Sequence, residues 1–369
     1  MTRIIYFADY SPAGDRVTDD GLKLLDAIAA CGNDGRVILE GGKQYFLGDR
    51  NIVLPEGVII ENPGSMGGDN GYGQEWVDML GGLRVISTRQ IVMHSRSGLK
   101  NLVVIPHGMT FPQISSDFWT GCPLTTRTGF NEVDVDLDRV LVMGFAQAFD
   151  GINCPRLRMN HFEFDCKSGI VVDTAGDTIQ LNYVRGWPWA TVSGPNGNAG
   201  LTRPGIAMEF KNNTDGGLLT NSFSTSYAVG LRVADLNGLR IHGHAVESPY
   251  LPNAIGYLAE GNAQNIELLG CQGNGLQNGV VVNVSSFPNQ INVIGGLWGA
   301  QSDNHFRVFK GTLSVRNALM HNCLNHSSVI GLDSRLILQN NNYNAAFPLN
   351  VLYGGAQASQ FINSNNVVI

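Results

Sequence analysis

The feature that most limits how this 369-residue chain can fold is a period. Nine-residue segments of one type recur from Leu157 onward. They are LRMNHFEFD from Leu157, IQLNYVRGW from Ile179, LLTNSFSTS from Leu218, LRIHGHAVE from Leu239, IELLGCQGN from Ile266, INVIGGLWG from Ile291, LSVRNALMH from Leu313 and LILQNNNYN from Leu336. Successive starts differ by 22, 39, 21, 27, 25, 22 and 23 residues, so six of the seven intervals lie between 21 and 27. Each segment opens on an apolar residue and, except at Thr220, has another two places on. That alternation points two side chains to one face of a short strand. Other short strands precede several segments: GIVVD, GIAMEF, VGLRV and GVVVNV. Each period therefore holds three short strands and three turns. A repeat of this length with no helical pattern inside it is the mark of a parallel β-helix. One coil cannot bury its inward face alone, whereas stacked coils make a continuous core. Asn160, Asn182 and Asn221 fall at the fourth position, where side-chain amides of successive coils can join in a ladder.

Composition agrees. The chain has 46 Gly and only 15% charged residues, which suits many tight turns and argues against a helical protein. Its length would ordinarily suggest two or three domains, but a repeat grows along one axis. One domain is expected over 1–369: a cap and first strand over 1–45, then coils over 46–369. A net charge of −7 with no run of Lys or Arg excludes nucleic acid as the main partner. No window is apolar enough for membrane insertion, and the apolar start is too short for a signal peptide. Cys31, Cys122, Cys154, Cys166, Cys271 and Cys323 are scattered and read as free buried thiols. No metal site and no cofactor is expected. Nucleophile elbow, P-loop and dinucleotide fingerprint are all missing, and GGDNGYG lacks the strand and helix of a phosphate cradle.

The segment DYSPAGDRVTDDGLKLLDAIAAC resembles the opening of pectate-lyase-like right-handed β-helix proteins. In these, a G-D-x-x-T-D-D stretch (here Gly14, Asp15, Thr18, Asp19 and Asp20) leads into a short capping helix. GRVILEGGKQYFLGDRNIVLPEGVIIEN resembles the first coils that follow. The resemblance covers nearly the whole chain and is strongest to phage tailspikes and tail-associated polysaccharide depolymerases. It implies an all-β, right-handed parallel β-helix with three strands per coil and a short N-terminal capping helix. It also implies a polysaccharide substrate, a homotrimer, and a place on the virion tail or outside the cell. The helix is expected over about 19–31, with Leu22, Leu25, Ile28 and Ala29 as its apolar face and Thr18 or Asp19 as its cap. It would cover the open edge of the first coil. The far end stops almost on the repeat, so a partner subunit covers it or the natural chain is longer. The start lies almost directly at the cap, so a virion-attachment domain is absent or was removed.

The 39-residue interval holds an insertion near 187–204, and a second lies near 106–131, after LKNLVVI, at the same structural point of an earlier coil. Both would wall the first-strand sheet, along which substrates lie in the resembling family. They carry Trp119, Trp187 and Trp189, with Phe118 nearby. Exposed aromatics pack on the C–H faces of sugars, or they fold back to staple their own loops. Arg203 and Arg127 can pair with an acidic sugar or serve as plain surface charge. Aligning Gly169 with Gly205 sets Asp173 in register with Glu209, both outward, on coils ~4.8 Å apart. Two such carboxylates titrate jointly and can divide into acid and base. The alternatives are two solvated acids or a bound cation.

Glu163 and Asp165 form a second outward pair, with Arg185 one coil beyond Glu163 as a cross-coil partner. Asp150 and Glu247 are further acids across the cleft. His244 takes the inward position held by Phe162, Val184 and Phe223 and reads as a core histidine, with His242 beside it. His161 faces out beside Tyr183, either as base and acid for β-elimination or as a stacked surface pair. The expectation is a polysaccharide-degrading endo-glycosidase with catalytic candidates Asp173, Glu209, Glu163 and Asp165. The substrate-binding candidates are Trp187, Trp189, Trp119, Arg185, Arg203, Tyr183 and His161. The alternatives are a lyase or epimerase, and a non-catalytic adhesin.

Overall fold

The computed structural model describes residues 2–63, 81–111, 113, 116–117, 119–190, 202–212, 215–248, 251–285, 289–301, 303–323, 326–343, 351–354 and 361–368. Phe118 and GGDNGYG lie outside the described residues. The chain is an all-β, right-handed parallel β-helix of about 11 turns, with one α-helix among the described residues, Gly21–Cys31. It forms two compact units, Met1–Leu201 and Thr202–Ile369.

In the first unit, three parallel layers of strands enclose the core. The first-strand layer runs through Ile52–Leu54, Ile91–Met93, Leu124–Thr126, Gln147–Ile152 and Ser168–Asp173. Its inward column is Ile91, Leu124, Phe149 and Ile170, all fully buried. The second-strand layer stacks Val37, Ile60, Leu99, Leu137, Met159 and Leu181. The third stacks Tyr45, Leu83, Val104, Val142 and Phe164. Each large apolar side chain so buried contributes about 1.5–3 kcal/mol. The columns make that gain continuous from coil to coil.

In three coils of this unit the second and third strands are one bent strand. Gly98–Pro106, Asp136–Met143 and Arg158–Asp165 each run through the corner unbroken. A single residue with positive φ makes each bend: Asn101 (53°), Arg139 (54°) and His161 (56°), with Tyr183 (55°) in the next coil. The outward residues just before the corner form the expected ladder. Asn182 Nδ2 donates to Asn160 Oδ1 (3.0 Å), and Asn160 Nδ2 donates to Asp138 Oδ1 (2.9 Å).

The second unit repeats the plan, with Leu219, Ile241, Leu268, Val293, Val315 and Leu338 in one inward column. The register corrects the sequence alignment by one residue at Leu218. Gly217 pairs with Leu239, and Leu218 pairs with Arg240 and faces out. Thr220 is therefore no exception to the alternation, and Asn221 is the corner residue rather than a fourth-position Asn. The residue preceding Phe223, Ser222, is the inward counterpart of His244, because Phe223 itself pairs with Ala245.

The N-terminal motif is held by its acids. Asp15 Oδ1 accepts from the N–H groups of Val17 (2.9 Å) and Thr18 (2.7 Å), which draws its carboxyl down to about 2. Buried Asp20 accepts from the N–H groups of Ala13 and Gly14. Asp19 accepts from Gly21 N (2.9 Å) and pairs with Arg50. The helix buries Leu24, Ala27, Ile28 and Cys31, so its packed face is turned from the one expected: Leu22 is 62% exposed and Ala29 is exposed.

Candidate functional site

The two insertions leave the third-strand layer at the same place, after Pro106 and after Gly186. The outward residues of that layer explain where they go. Val103 pairs with Leu141, Leu141 with Glu163, and Glu163 with Arg185. Met143 pairs with Asp165. Val103, Ile105, Leu141 and Met143 are apolar and outward, so they need a cover. The loops supply it. Trp119 (5% exposed), Trp189 (3%) and Ala190 join those four residues in one buried cluster, with Met109, Phe111 and Trp187 packed against it. Gln113 N donates to Ala190 O (2.8 Å), which ties one loop to the other. Trp119 Nε1 donates to Gln113 Oε1 (3.3 Å). Trp119 and Trp189 thus staple the loops, and Trp187 is the half-buried tryptophan of the three. The first loop also reaches the first-strand layer: Gly121 O accepts from Gln147 N (3.1 Å), and Asp117 O accepts from Lys167 Nζ (2.6 Å).

Around this cover the structure sorts the carboxylates. Asp165 is fully buried and its Oδ2 accepts from Ala190 N (2.7 Å), so it holds the second loop down. Glu163 is 2% exposed; its Oε1 lies 3.0 Å from His161 Nε2. Its Oε2 is buried without a hydrogen-bond partner among the described residues. The His161 and Tyr183 rings meet at 4.4 Å, tilted by 47°. Arg185 lies over the Trp187 ring at 5.0 Å and the Trp189 ring at 5.6 Å. His161, Glu163, Tyr183, Arg185 and Trp187 are therefore brought together at one corner of two adjacent coils.

Asp173 and Asp150 stand on the outer face of the first-strand layer, both half-buried. Asp150 pairs with Val171 and Ile152 with Asp173, which makes the two acids diagonal neighbours on adjacent coils. Both lie close to Cys154, whose thiol is pushed up to about 12 by burial, with the two carboxylates adding to the rise. Asp173 Oδ1 accepts from Thr174 Oγ1 (2.8 Å).

Glu209 belongs to the second unit. Arg232, its partner in the adjacent coil, donates to it and also to Glu260 Oε1 (2.6 Å from Nε), and Lys211 lies 4.0 Å away. Arg203 is fully buried and packs over Tyr227 at 5.4 Å. Arg127 donates to Glu132 Oε1 (2.6 Å) and lies over Phe130 at 3.5 Å. His244 is fully buried, as expected, and burial drives its imidazole down to about 3. Among the described residues no three His, Cys, Asp or Glu form a group that could hold a metal ion. Among the same residues no helix is long and apolar enough to cross a membrane.

No family model and no curated protein matches the sequence. Solved structures do. The A-module of mannuronan C-5 epimerase AlgE6 from Azotobacter vinelandii superposes with a TM-score of 0.54 at 13% identity, covering 99% of each chain. Tailspike protein 3 of bacteriophage CBA120 gives 0.55 at 13% identity, over 99% of this chain and 61% of that one. DFA-IIIase from Arthrobacter chlorophenolicus A6 gives 0.54 at 12% identity, over 100% and 98%. The chain has the pectate-lyase-like β-helix fold.

Within this pectate-lyase-like coil, the sequence pattern missed two things. The φ of a corner residue leaves no mark on hydrophobic periodicity, so Arg139 was not singled out. The diagonal of Asp150 and Asp173 needs the register of two coils whose segments share no obvious alignment. The glycine that begins GIVVD is the only anchor there, and the QAFDGI strand before it has its glycine in the next-to-last place.

Proposed function

We propose that the chain binds a polysaccharide on the outer face of the first unit and cleaves it by hydrolysis, with Asp173 as one of two carboxylates. The observation that carries this is the Asp150–Asp173 diagonal on the layer that the first loop borders. A coil spacing of ~4.8 Å and a two-residue offset set their backbones about 8 Å apart. Carboxyl groups about 6.5–9.5 Å apart suit an inverting hydrolysis and those about 5–5.5 Å apart a retaining one, and side chains on backbones at this spacing can adopt either. Asp150 thus joins Asp173 within one unit, whereas Glu209 lies in the second unit and is engaged by Arg232. Glu163 and Asp165 act as supports of His161 and of the second loop. The epimerase, the tailspike and the DFA-IIIase with this fold support a carbohydrate ligand. The tailspike supports a place on a virion tail or outside the cell, and the sequence resemblance to phage tailspikes implies a trimer.

One observation favours a second reading. Glu163 orients His161, which meets Tyr183, and such a pair can take the C–H proton of a uronate and protonate the departing glycosidic oxygen in a β-elimination. A panel of capsular and O-antigen polysaccharides, read by chromatography, separates the two. Hydrolysis yields new reducing ends without near-ultraviolet absorbance, and loses at least 100-fold in rate in Asp173→Asn and Asp150→Asn. Absorbing products, or full activity in both variants, would sink the hydrolytic reading.

A further inference from the structure

The corner that joins second and third strands is held by one residue of left-handed backbone in every described coil past Asn101. In the second unit these residues are Asn221, Gly243, Gly270, Gly295, Asn317, Asn340 and Asn365, with φ between 50° and 70°. All seven are Asn or Gly, the residues that tolerate this conformation. In the first unit the series reads Asn101, Arg139, His161 and Tyr183. Three consecutive coils place a bulky side chain where the fold elsewhere accepts only Asn or Gly. Strain of this kind persists where the side chain has a task.

The three side chains stand side by side, one coil apart. Arg139 is exposed; His161 and Tyr183 are half-buried with their rings in contact. Glu163 fixes His161 from below through Nε2. Next to this ridge lies a polar trough of about 390 Å³, lined by Asp136, Asp138, Arg158, Asn160, Gln180 and Asn182. A second, of about 300 Å³, continues it past Arg158 and Gln180. The spacing of the coils, ~4.8 Å, is close to the length of one pyranose residue. Charges along the trough are balanced: Asp136 pairs with Lys100 (3.2 Å) and Asp138 with Arg139 (3.1 Å).

We infer that the ridge Arg139–His161–Tyr183 and its trough form a glycan-binding strip, separate from the Asp150–Asp173 face, that takes uncharged sugar residues. Tyr183 and His161 offer ring faces to the C–H faces of the sugars. The amide and guanidinium groups of the trough meet hydroxyls, and the balanced charges give no field that favours a polyanion. The strip rests on the reading that the ligand is a polysaccharide, and not on which residues cleave it.

The test replaces the three residues by the one the fold itself uses elsewhere. Arg139→Asn, His161→Asn and Tyr183→Asn are made singly and together in an Asp173→Asn background. Retention is then measured on immobilised neutral and uronate-containing capsular and O-antigen polysaccharides. Thermal unfolding is followed on the same proteins. Arg139→Asn and Tyr183→Asn should each raise Tm by about 2–4 °C as strain is relieved, whereas His161→Asn also takes the imidazole away from buried Glu163 and is read for binding alone. The triple variant should lose at least tenfold in affinity for a neutral polysaccharide, the scale of a lost ring stack. Tyr183→Phe should keep that affinity. A lowered Tm in both Arg139→Asn and Tyr183→Asn would mean that the side chains hold the fold, and would overturn the inference. So would unchanged retention in the triple variant, or retention of uronate polysaccharides alone. If the parent protein retains no polysaccharide, the polysaccharide reading itself fails and the strip fails with it.

Discussion

The corner column of the first unit and that of the second do the same mechanical work with different residues. From Asn221 to Asn365 the second unit spends only Asn and Gly on the left-handed bend. The first unit, over the coils that carry the loops, the buried Glu163 and the Asp150–Asp173 diagonal, spends Arg, His and Tyr. Backbone geometry alone would make the two columns alike. Their difference shows that the first unit keeps side chains at a conformational cost, whereas the second unit minimises that cost. The step just past the corner differs as well. Val140, Phe162 and Val184 fill it in the first unit, and Ser222, His244, Cys271, Gly296 and Ala318 fill it in the second.

The largest effect that tests this contrast is at Gly296, which follows the corner residue Gly295. Its φ is +90°, and a Cβ there would stand 2.0 Å from the carbonyl oxygen of Cys271 in the coil below. Gly296→Ala combines a forbidden conformation with a backbone clash, so it should cost at least ~3 kcal/mol. Calorimetry should show Tm lower by about 6 °C or more. An unchanged Tm would mean that the second-unit corner has slack, and that its Asn and Gly residues are not demanded by the fold.

A smaller effect distinguishes two histidines that differ by one place. His161 sits at a first-unit corner, half-buried against Glu163; His244 sits one step past a second-unit corner and is fully buried. Burial lowers the His244 imidazole from its ordinary 6.5 to about 3. The unfolded chain therefore takes up a proton that the folded chain refuses. Stability is complete above pH 6.5 and falls as pH drops from 6.5 toward 3. By pH 5 the loss from this group is about 2 kcal/mol. His305, also lowered to about 3 by burial, adds a similar loss. His244→Phe, using a residue that fills this place in the first unit, should flatten the fall between pH 7 and 5 by that amount in denaturant titrations. An equally steep fall would show that His244 is protonated in the folded state.

The architecture was legible because a period survives substitution: any apolar residue at two alternate places marks the inward column. The cap was legible from Asp15, Asp19 and Asp20, each of which holds a backbone N–H group. Register was less so, since Leu218 and Leu219 are adjacent leucines and only the partner Arg240 reveals which faces out. The fate of the tryptophans was not legible either. Trp119 and Trp189 are buried because Val103, Ile105, Leu141 and Met143, far away in sequence, leave an apolar outer face to cover. Pairing of the carboxylates failed for a similar reason: the acids in Glu163 and Asp165 lie under a loop whose course the local sequence does not set.

The smallest effect bears most directly on the comparison. Gly270 is a second-unit corner residue with φ of 62°, and a Cβ added there meets nothing within 4 Å. Gly270→Tyr therefore introduces the backbone cost of Tyr183 without its neighbours and without a clash at Cβ. The cost should be about 1–2 kcal/mol, seen as a Tm lower by about 2–8 °C. Glycan retention should not change. If Gly270→Tyr is neutral, then a tyrosine at this bend is free of strain, and the three bulky corners of the first unit need no functional reason. If it costs as expected, the same cost is present at Tyr183, where the surrounding coils sustain it beside His161 and Arg185. The side chain is then what the first unit keeps in exchange.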